Sequence, residues 1–286
     1  MSEMTYAQVA VLGAGTMGAG IAQVCAQAGS SVVLQDVTEE FVQKGLGRIR
    51  DFLQKGVDKG KVTAAQRDDV LTRITTTVDR AGACRNAGLV IEAVPEQLEL
   101  KNRLFRELGE VVAPGCVLAS NTSSLSLARV FAGVKGAHRC IGMHFFNPVP
   151  LMALLEVVRT DATDQATIDA ALGYGKVLGK EPILVKDSPG FASSRLGVCL
   201  GLEAIRMVAA GVASAEDIDK AMVLGYGHPM GPLRLTDLVG LDVRLAIADY
   251  LAKELNHAGF QAPELMRRMV AEGKLGKKTG QGFYRW

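Results

Sequence analysis

The feature that most constrains the fold is a glycine loop near the start of the sequence. An apolar run at residues 8–12 leads directly into Gly13-Ala14-Gly15-Thr16-Met17-Gly18, and an apolar helical pattern follows. In a strand-turn-helix unit the first glycine permits the tight turn, the second lets a pyrophosphate approach the backbone, and the third lets helix and strand pack closely. The helix N-terminus then faces the negative charge. We therefore predict a dinucleotide-binding βαβ unit here.

The residue that ends the second predicted strand indicates which dinucleotide binds. Gly29 ends the helix, residues 31–35 form the strand, and Asp36 follows it. An acidic side chain at this position accepts hydrogen bonds from a ribose 2′-hydroxyl and repels a 2′-phosphate. The sequence thus predicts NAD rather than NADP as the cofactor. The alternative is an ordinary βαβ turn with a solvated Asp36.

Strands and helices continue to alternate up to about residue 187. Further strands are predicted at 74–78, 89–93, 116–119, 139–145, 154–159 and 183–186, with helical patterns over 38–69 and 99–112. This alternation favours a parallel, doubly wound sheet. Beyond Asp187-Ser188-Pro189-Gly190 only helical patterns recur. We expect an α/β chain: an N-terminal Rossmann-like NAD-binding domain, residues 1–187, and an all-α C-terminal domain, residues 188–286.

Two polar segments follow strands of the predicted sheet. Residues 94–97, which include Glu96, follow the 89–93 strand, and Ser120-Asn121-Thr122-Ser123-Ser124 follows the next one. Open α/β sheets bind ligands beyond the carboxyl ends of their strands. Hydroxyl groups there can hold a carbonyl or alcohol oxygen, although serine and threonine before a helix also serve as N-caps. Different members of the second segment can fill the two roles.

A histidine and a glutamate interrupt two later apolar strands. His144 lies at the end of the 139–145 strand, and Glu156 lies inside the 154–159 strand. Because burying an unpaired charge is costly, the simplest arrangement is that the two side chains meet. The carboxylate would fix the imidazole tautomer and stabilise the imidazolium, so that the other ring nitrogen acts as a base. The alternative is a histidine satisfied within the core.

Composition narrows the classes of partner. A chain of 286 residues suits two domains, and a net charge of +2 gives no argument for nucleic acid or a membrane surface. The five cysteines are widely spaced, without the pattern of a disulfide framework or a metal site. No apolar run is long enough to span a bilayer, and the first strand leaves no room for a signal peptide. We therefore expect a cytoplasmic protein whose Leu-, Ala- and Met-rich helical half buries surface against another subunit.

Seven motifs, in order along the chain, resemble one family. They are GAGTMG at 13–18, SNTSSL at 120–125, GMHFFNPVP at 142–150, DSPGF at 187–191, EDIDKAM at 216–222, HPMGP at 228–232 and KTGQGFY at 278–284. Over nearly its whole length the chain resembles the short, single-function L-3-hydroxyacyl-CoA dehydrogenases, including the bacterial 3-hydroxybutyryl-CoA dehydrogenases. The resemblance implies a homodimer formed through the helical domain, and NAD-dependent interconversion of L-3-hydroxyacyl-CoA and 3-oxoacyl-CoA.

The resemblance also implies roles for individual residues. His144 matches the catalytic base, Glu156 the acid that orients it, and Ser123 the serine that hydrogen-bonds the substrate oxygen. Cofactor contacts are implied for Glu96, Lys101, Asn121, Asn147 and Lys278, together with the glycine loop and Asp36, and substrate contacts for Ser123, Lys59 and Lys101.

Residue 194 departs from the family pattern. Ser194 stands where the family has an asparagine that contacts the substrate near the histidine. A hydroxyl is shorter than an amide and offers fewer hydrogen bonds, so we expect it to reach the substrate only through water. Two other functions stay open: a dehydrogenase of another hydroxy acid, such as a sugar acid, and a dinucleotide-binding protein with little catalysis. A basic face on the 38–69 helix is either a solvated surface or a landing site for coenzyme A phosphates.

Overall fold

An eight-stranded mixed sheet forms the centre of the first of two units. The structure, a computed structural model, describes residues 5–286, and the boundary between the units lies between Asp187 and Ser188. The strand order is β3-β2-β1-β4-β5-β6-β7-β8. The strands are β1 (Gln8–Leu12), β2 (Ser31–Gln35), β3 (Ile74–Thr77), β4 (Leu89–Glu92), β5 (Val117–Ser120), β6 (Cys140–Phe145), β7 (Leu154–Arg159) and β8 (Glu181–Lys186). The helices of this unit are α1 (Thr16–Gln27), α2 (Glu39–Asp58), α3 (Ala64–Thr72), α4 (Arg80–Arg85), α5 (Leu98–Val111), α6 (Leu127–Val130) and α7 (Gln165–Val177).

The sheet changes direction between β6 and β7. Strands β1 to β6 are parallel to one another, whereas β7 pairs antiparallel with β6 and β8 pairs parallel with β7. The prediction of a wholly parallel sheet is therefore wrong for the last two strands. Residues 146–153, between β6 and β7, contain no helix. A parallel connection needs a crossover of a dozen or more residues, so this short loop can only return the chain in the opposite direction.

The glycine loop lies where the strand order reverses. The chain builds outward from β1 through β2 to β3 and then returns to place β4 on the other side of β1. Gly13 directly follows β1 with φ 98°, and a Cβ there would lie 2.6 Å from the carbonyl oxygen of Ala93 at the end of β4. A Cβ on Gly18 would lie 1.7 Å from the carbonyl oxygen of Gly13. The tight turn at Gly13 and the close helix packing at Gly18 are thus confirmed.

The central strands hold this loop on a rigid base. Every residue of β4, β5 and β6 is buried, as expected for parallel strands covered by helices on both faces. Each fully buried Leu, Ile or Val side chain stabilises the fold by about 1.5–3 kcal/mol. The carboxyl ends of these strands are therefore well-fixed positions for polar side chains.

Residues 38–72 form two helices and not the single predicted one. Gly60, with φ 67°, lies just beyond the end of α2, and Thr63 and Gln66 form a capping box that begins α3. The buried stripe of α2 consists of Val42, Gly45, Ile49 and Leu53. Phe41, in the first turn of the same helix, lies outside this stripe and is 47% exposed.

The regular elements of the second unit are all helices. Its helices are α8 (Ser193–Ala209), α9 (Ala215–Tyr226), α10 (Pro232–Val239), α11 (Leu241–Leu255) and α12 (Glu264–Ala271). Ser214 caps α9 by accepting a hydrogen bond from the Asp217 N–H at 3.1 Å. The fold class, a doubly wound α/β sheet followed by an all-α part, is confirmed. Within residues 5–286, no helix is both long and apolar enough to cross a membrane.

Candidate active site

A cleft of about 700 Å³ opens beside the glycine loop. Its walls include residues 12–17, residues 35–37 after β2 and residues 93–95 after β4. A Cβ added to Gly15 would meet no atom within 4 Å, so the backbone here is open to a ligand. Gly15 is also the N-cap of α1 and provides no side-chain cap, so the first N–H groups of the helix can bind an anion. These features fit the pyrophosphate of a dinucleotide.

Asp36 is held against the glycine loop. One of its carboxylate oxygens accepts a hydrogen bond from the Ala14 N–H at 2.7 Å, and the other accepts from the Val37 N–H at 2.7 Å. A carboxylate offers about four acceptor positions, so Asp36 can still accept bonds from ribose hydroxyls. Its negative charge opposes a 2′-phosphate. The cleft therefore fits NAD, the cofactor that the sequence predicts.

A buried network of charges lies at the end of β4. Glu92 is completely buried, and its carboxylate accepts hydrogen bonds from Lys101 Nζ at 2.5 Å, Ser120 Oγ at 2.7 Å and the Val94 N–H at 2.7 Å. Burial raises the pKa of Glu92, while Lys101 and the other donors act to lower it. Lys101, predicted as a ligand contact, is only 1% exposed and has its ammonium inside this network. The sequence analysis did not identify Glu92, although it is a polar residue that ends an apolar strand, and it named Ser120 only as a member of the hydroxyl-rich segment.

The same network extends to the hydroxyl-rich segment after β5. Lys101 Nζ lies 3.3 Å from the second glutamate, Glu96. Glu96 Oε1 accepts hydrogen bonds from Thr122 Oγ1 at 2.6 Å and from the Ser123 N–H at 3.0 Å, and Ser123 Oγ lies 3.4 Å from it. Thr122 Oγ1 also accepts from the Leu125 N–H at 3.1 Å. Thr122 therefore closes a turn ahead of α6, whose own N-cap, Ser126, makes no side-chain cap. Ser123 is tied to Glu96, which is 39% exposed and contacts the buried Lys101.

Two asparagines connect this region with the end of β6. Asn121 Oδ1 accepts a hydrogen bond from the Phe145 N–H at 2.9 Å, which ties the end of β5 to the residue after His144. Asn147 precedes a cis proline and lines a second, smaller cavity of about 100 Å³. Thr16 and Arg48 line both cavities, so the two spaces adjoin.

His144 and Glu156 face each other across β6 and β7. They are direct partners in the antiparallel pair, and His144 Nδ1 lies 2.7 Å from Glu156 Oε2. Glu156 is completely buried and His144 is 6% exposed. The Phe146 ring packs against the imidazole, with 4.4 Å between ring centroids. The two side chains therefore meet in a dry environment, where a hydrogen bond is stronger than in water, and the role of the pair stays a prediction.

Three further predicted residues belong to the end of α2 and to the helical unit. Lys59 is the exposed C-cap of α2. In the helical unit, Ser194 is a half-buried residue in the first turn of α8. The Lys278 ammonium lies 2.6 Å from the carboxylate of Asp242, a partner that the sequence analysis did not identify. The ligand contacts of Lys59, Ser194 and Lys278 stay predictions.

Comparisons with known proteins account for almost the whole chain. The family model described as "3-hydroxyacyl-CoA dehydrogenase, NAD binding domain" matches residues 8–188, and "3-hydroxyacyl-CoA dehydrogenase, C-terminal domain" matches residues 190–286. A 3-hydroxybutyryl-CoA dehydrogenase of Mycobacterium tuberculosis is 47% identical over 279 residues, which cover 97% of each chain. The mitochondrial hydroxyacyl-coenzyme A dehydrogenase of Sus scrofa is 43% identical over 284 residues, 97% of this chain and 90% of that one. The crystal structure of (S)-3-hydroxybutyryl-CoA dehydrogenase from Ralstonia eutropha is 41% identical, with a TM-score of 0.94 and 99% of each chain covered.

Proposed function

Because the chain belongs to the 3-hydroxyacyl-CoA dehydrogenase family and is an NAD-dependent enzyme of this class, we propose that His144 is its catalytic base and that Glu156 orients and stabilises this histidine. The substrate that we propose is L-3-hydroxybutyryl-CoA or a similar L-3-hydroxyacyl-CoA, which is interconverted with the 3-oxoacyl-CoA. One observation carries the proposal: a buried imidazole and a buried carboxylate, 2.7 Å apart, at a sheet edge that also holds the dinucleotide cleft.

His144 takes the proton from the 3-hydroxyl group of the substrate. With Nδ1–H donating to Glu156, the neutral imidazole presents Nε2 as the basic atom. When Nε2 accepts the proton, the imidazolium forms beside a carboxylate that is already in place. This arrangement stabilises the charge where it develops. Bound NAD supplies the hydride acceptor.

Ser123 holds the substrate oxygen while its charge changes. Its backbone N–H donates to Glu96, and Glu96 is in turn held by Thr122 and Lys101. A hydroxyl on a fixed segment can donate to the oxygen without reorganisation during the reaction. Ser194 provides the hydroxyl that replaces the family asparagine, and Lys59 and Lys278 provide positive charge for the coenzyme A arm and the cofactor.

The active protein is proposed to be a homodimer formed through the helical unit. Four apolar side chains of this unit are between 62% and 81% exposed: Leu196, Val212, Leu224 and Tyr226. Covering such surface contributes roughly 25 cal/mol per Å², which favours association. Sedimentation velocity of the wild-type protein tests the subunit count, and a monomer under assay conditions would exclude the dimer.

The base is tested with His144→Gln and a control at a second histidine. His138 is exposed and lies just before β6, so His138→Gln tests the loss of an imidazole outside the site. The assay follows the loss of NADH absorbance with acetoacetyl-CoA. We expect His144→Gln to lower turnover by about 10²- to 10⁴-fold, with NADH binding retained, and His138→Gln to match the wild type. Near-normal turnover in His144→Gln would remove His144 as the base.

The two other functions predict different results in the wild type. A sugar-acid or other free hydroxy-acid dehydrogenase would oxidise its substrate with NAD and leave acetoacetyl-CoA unchanged. A dinucleotide-binding protein with little catalysis would bind NADH and consume none with either class of substrate.

A further inference from the structure

Arg48, on α2, is a cation in the wall of the dinucleotide cleft that forms no ion pair within residues 5–286. Its side chain is exposed, and its Nη1 donates a hydrogen bond to the Ala14 carbonyl oxygen of the glycine loop at 3.2 Å. A guanidinium has five N–H donors. Arg48 therefore reaches the loop with most of its donors still available to a ligand.

A glycine on α2 brings the helix close enough for this contact. A Cβ added to Gly45 would lie 2.7 Å from both the Cβ and the carbonyl oxygen of Ala14, so α2 packs directly on the glycine loop. Arg48 lies three residues further along and shares this face of the helix. Helical side chains point back toward the N-terminus of their helix, which carries the guanidinium from Arg48 to Ala14. The packing of α2 thus holds the charge beside the loop.

The loop that Arg48 contacts is the part of the cleft that fits a pyrophosphate. Thr16 and Met17 begin α1 and line the cleft together with Arg48. Their N–H groups belong to the first turn of the helix, where the N–H groups have no acceptor within the helix and favour an anion. No residue of the loop, 13–18, has a charged side chain, whereas a pyrophosphate diester carries negative charge on each of its phosphate groups. A guanidinium can bind two phosphate oxygens through parallel N–H bonds, so Arg48 supplies the positive charge that the loop lacks.

The other cations of the cleft wall are less well placed for this role. Lys44 and Arg80 are each paired with a glutamate. Arg103, on α5, forms no ion pair among the described residues, but it also makes no hydrogen bond to the glycine loop there. Among the described residues of this wall, Arg48 is therefore the cation that is both without an ion pair and in contact with the loop.

We propose that Arg48 binds the pyrophosphate of NAD from the α2 side of the cleft. The inference goes beyond the proposed function, because it concerns the cofactor and holds for any acyl chain and any catalytic base. Two other roles compete with it. In the first, Arg48 is part of a basic helix face that binds coenzyme A phosphates. In the second, its hydrogen bond to Ala14 only fixes the shape of the glycine loop.

The test measures cofactor binding by the wild type, Arg48→Met and Arg48→Lys with no thioester present. Kd for NADH is obtained by fluorescence titration, and Kd for ADP-ribose and for adenosine by displacement of bound NADH. ADP-ribose contains the pyrophosphate and adenosine does not. We expect Arg48→Met to raise Kd about 10-fold for NADH and ADP-ribose, the lower end of the range for a hydrogen bond to a charged group because Arg48 is exposed, and to leave Kd for adenosine unchanged. Arg48→Lys should lie between, because lysine keeps the charge and loses the planar fork.

The salt dependence of NADH binding separates a charge contact from a structural one. A contact between an exposed guanidinium and a phosphate is screened by salt, whereas a change in the shape of the loop is not. We expect the gap in Kd between the wild type and Arg48→Met to narrow from about 10-fold in dilute buffer to about threefold or less in about 0.5 M potassium chloride. A gap of equal size under both conditions would assign Arg48 the structural role and overturn the inference.

Arg50→Met is the matched control. Arg50 lies two residues further along α2, is exposed, and lines neither of the two cavities described above. Residues two apart on a helix do not share a face, so this change removes the same charge from the same helix at another face. Kd for NADH and for ADP-ribose should match the wild type. An equal loss in Arg50→Met and Arg48→Met would mean that the overall charge of the helix sets the affinity, which would also overturn the inference.

Steady-state kinetics with acetoacetyl-CoA distinguish the coenzyme A role. We expect a higher KM for NADH in Arg48→Met and an unchanged KM for acetoacetyl-CoA. The inference fails if NADH binding is unchanged, if ADP-ribose and adenosine lose affinity equally, or if only the KM for acetoacetyl-CoA rises. Failure of the proposed function looks different, because the titrations contain no thioester and would keep their result while acetoacetyl-CoA consumed no NADH.

Discussion

Replacing Lys101 by methionine should destabilise the protein by about 3–5 kcal/mol at pH 8, the usual cost of breaking a buried ion pair. Lys101 Nζ and Glu92 Oε1 are 2.5 Å apart, and the two side chains are 1% and 0% exposed. Methionine fills a similar volume, so the change removes charge more than packing. Glu92 would keep only the Ser120 hydroxyl and the Val94 N–H as partners, which is too little for a carboxylate out of water.

The size of this loss should depend on pH. Burial already raises the pKa of Glu92, and Lys101 is one of the groups that lower it, so removing Lys101 raises the pKa further. A carboxyl group whose pKa is raised by folding binds its proton more tightly in the folded state. Its contribution to stability is therefore present at low pH and is lost as pH rises through the folded pKa. The destabilisation of Lys101→Met should accordingly be largest at pH 8 and smaller at pH 5.

Urea denaturation followed by far-UV circular dichroism at the two pH values measures the effect. The double variant Glu92→Gln/Lys101→Met should recover most of the stability, because a neutral pair of similar volume often replaces a buried ion pair without loss. Lys135→Met is the matched control, since Lys135 and Glu110 are 71% and 64% exposed and their pair is solvated. The reasoning is refuted if Lys101→Met and Lys135→Met lose the same stability, or if the loss is equal at pH 5 and pH 8.

Two further substitutions test dinucleotide binding in the cleft and the proposed role of Glu156 beside His144. Gly15→Ala should change the free energy of unfolding by less than about 1 kcal/mol, because its Cβ meets no atom, but should weaken NADH binding measured by fluorescence titration. Gly47→Ala, also in open space but inside α2, should stabilise the protein by about 0.5–1 kcal/mol and leave NADH binding unchanged. Retained NADH affinity in Gly15→Ala would contradict a pyrophosphate at this loop. Glu156→Gln should lower kcat for acetoacetyl-CoA about 10- to 100-fold, the value of a hydrogen bond to a charged group, at unchanged NADH affinity, and an unaltered kcat would show that the carboxylate does not assist His144.

Local sequence was enough to locate most of the sheet. The bounds of β1, β2 and β7 agree with the prediction, and the other strands differ by one or two residues at an end, because each is a short apolar run that ends at polar or glycine residues. The sequence also predicted the turn at the glycine loop, because the spacing of Gly13 and Gly18 follows from the backbone contacts that exclude a Cβ at these two positions. The meeting of His144 and Glu156 followed from the cost of an unpaired buried charge.

Features that depend on tertiary contacts were missed. The Glu92–Lys101 pair joins residues nine positions apart at a sheet edge, and no local pattern marks it. Helix α10 begins at Pro232, after a segment rich in glycine and proline that is typical of a turn, and its N-terminal N–H groups are held by Asp219 from α9. The end of α2 depends on Gly60 and the Thr63 capping box, which are local signals that the prediction of one helix over 38–69 did not use.

The in-register pairing of β6 with β7 also determines which insertions and deletions this site can tolerate. His144 and Glu156 meet because backbone hydrogen bonds place them opposite each other, and side chains alternate between the faces of a sheet with a period of two. One residue gained or lost in residues 146–153 would leave the register of β6 and β7 intact but displace Asn147 and the Val149 and Met152 carbonyls that Lys180 binds. One residue inserted into β7 ahead of Glu156 would instead turn its carboxylate to the other face. Length variation among natural homologues should therefore be excluded from the two strands.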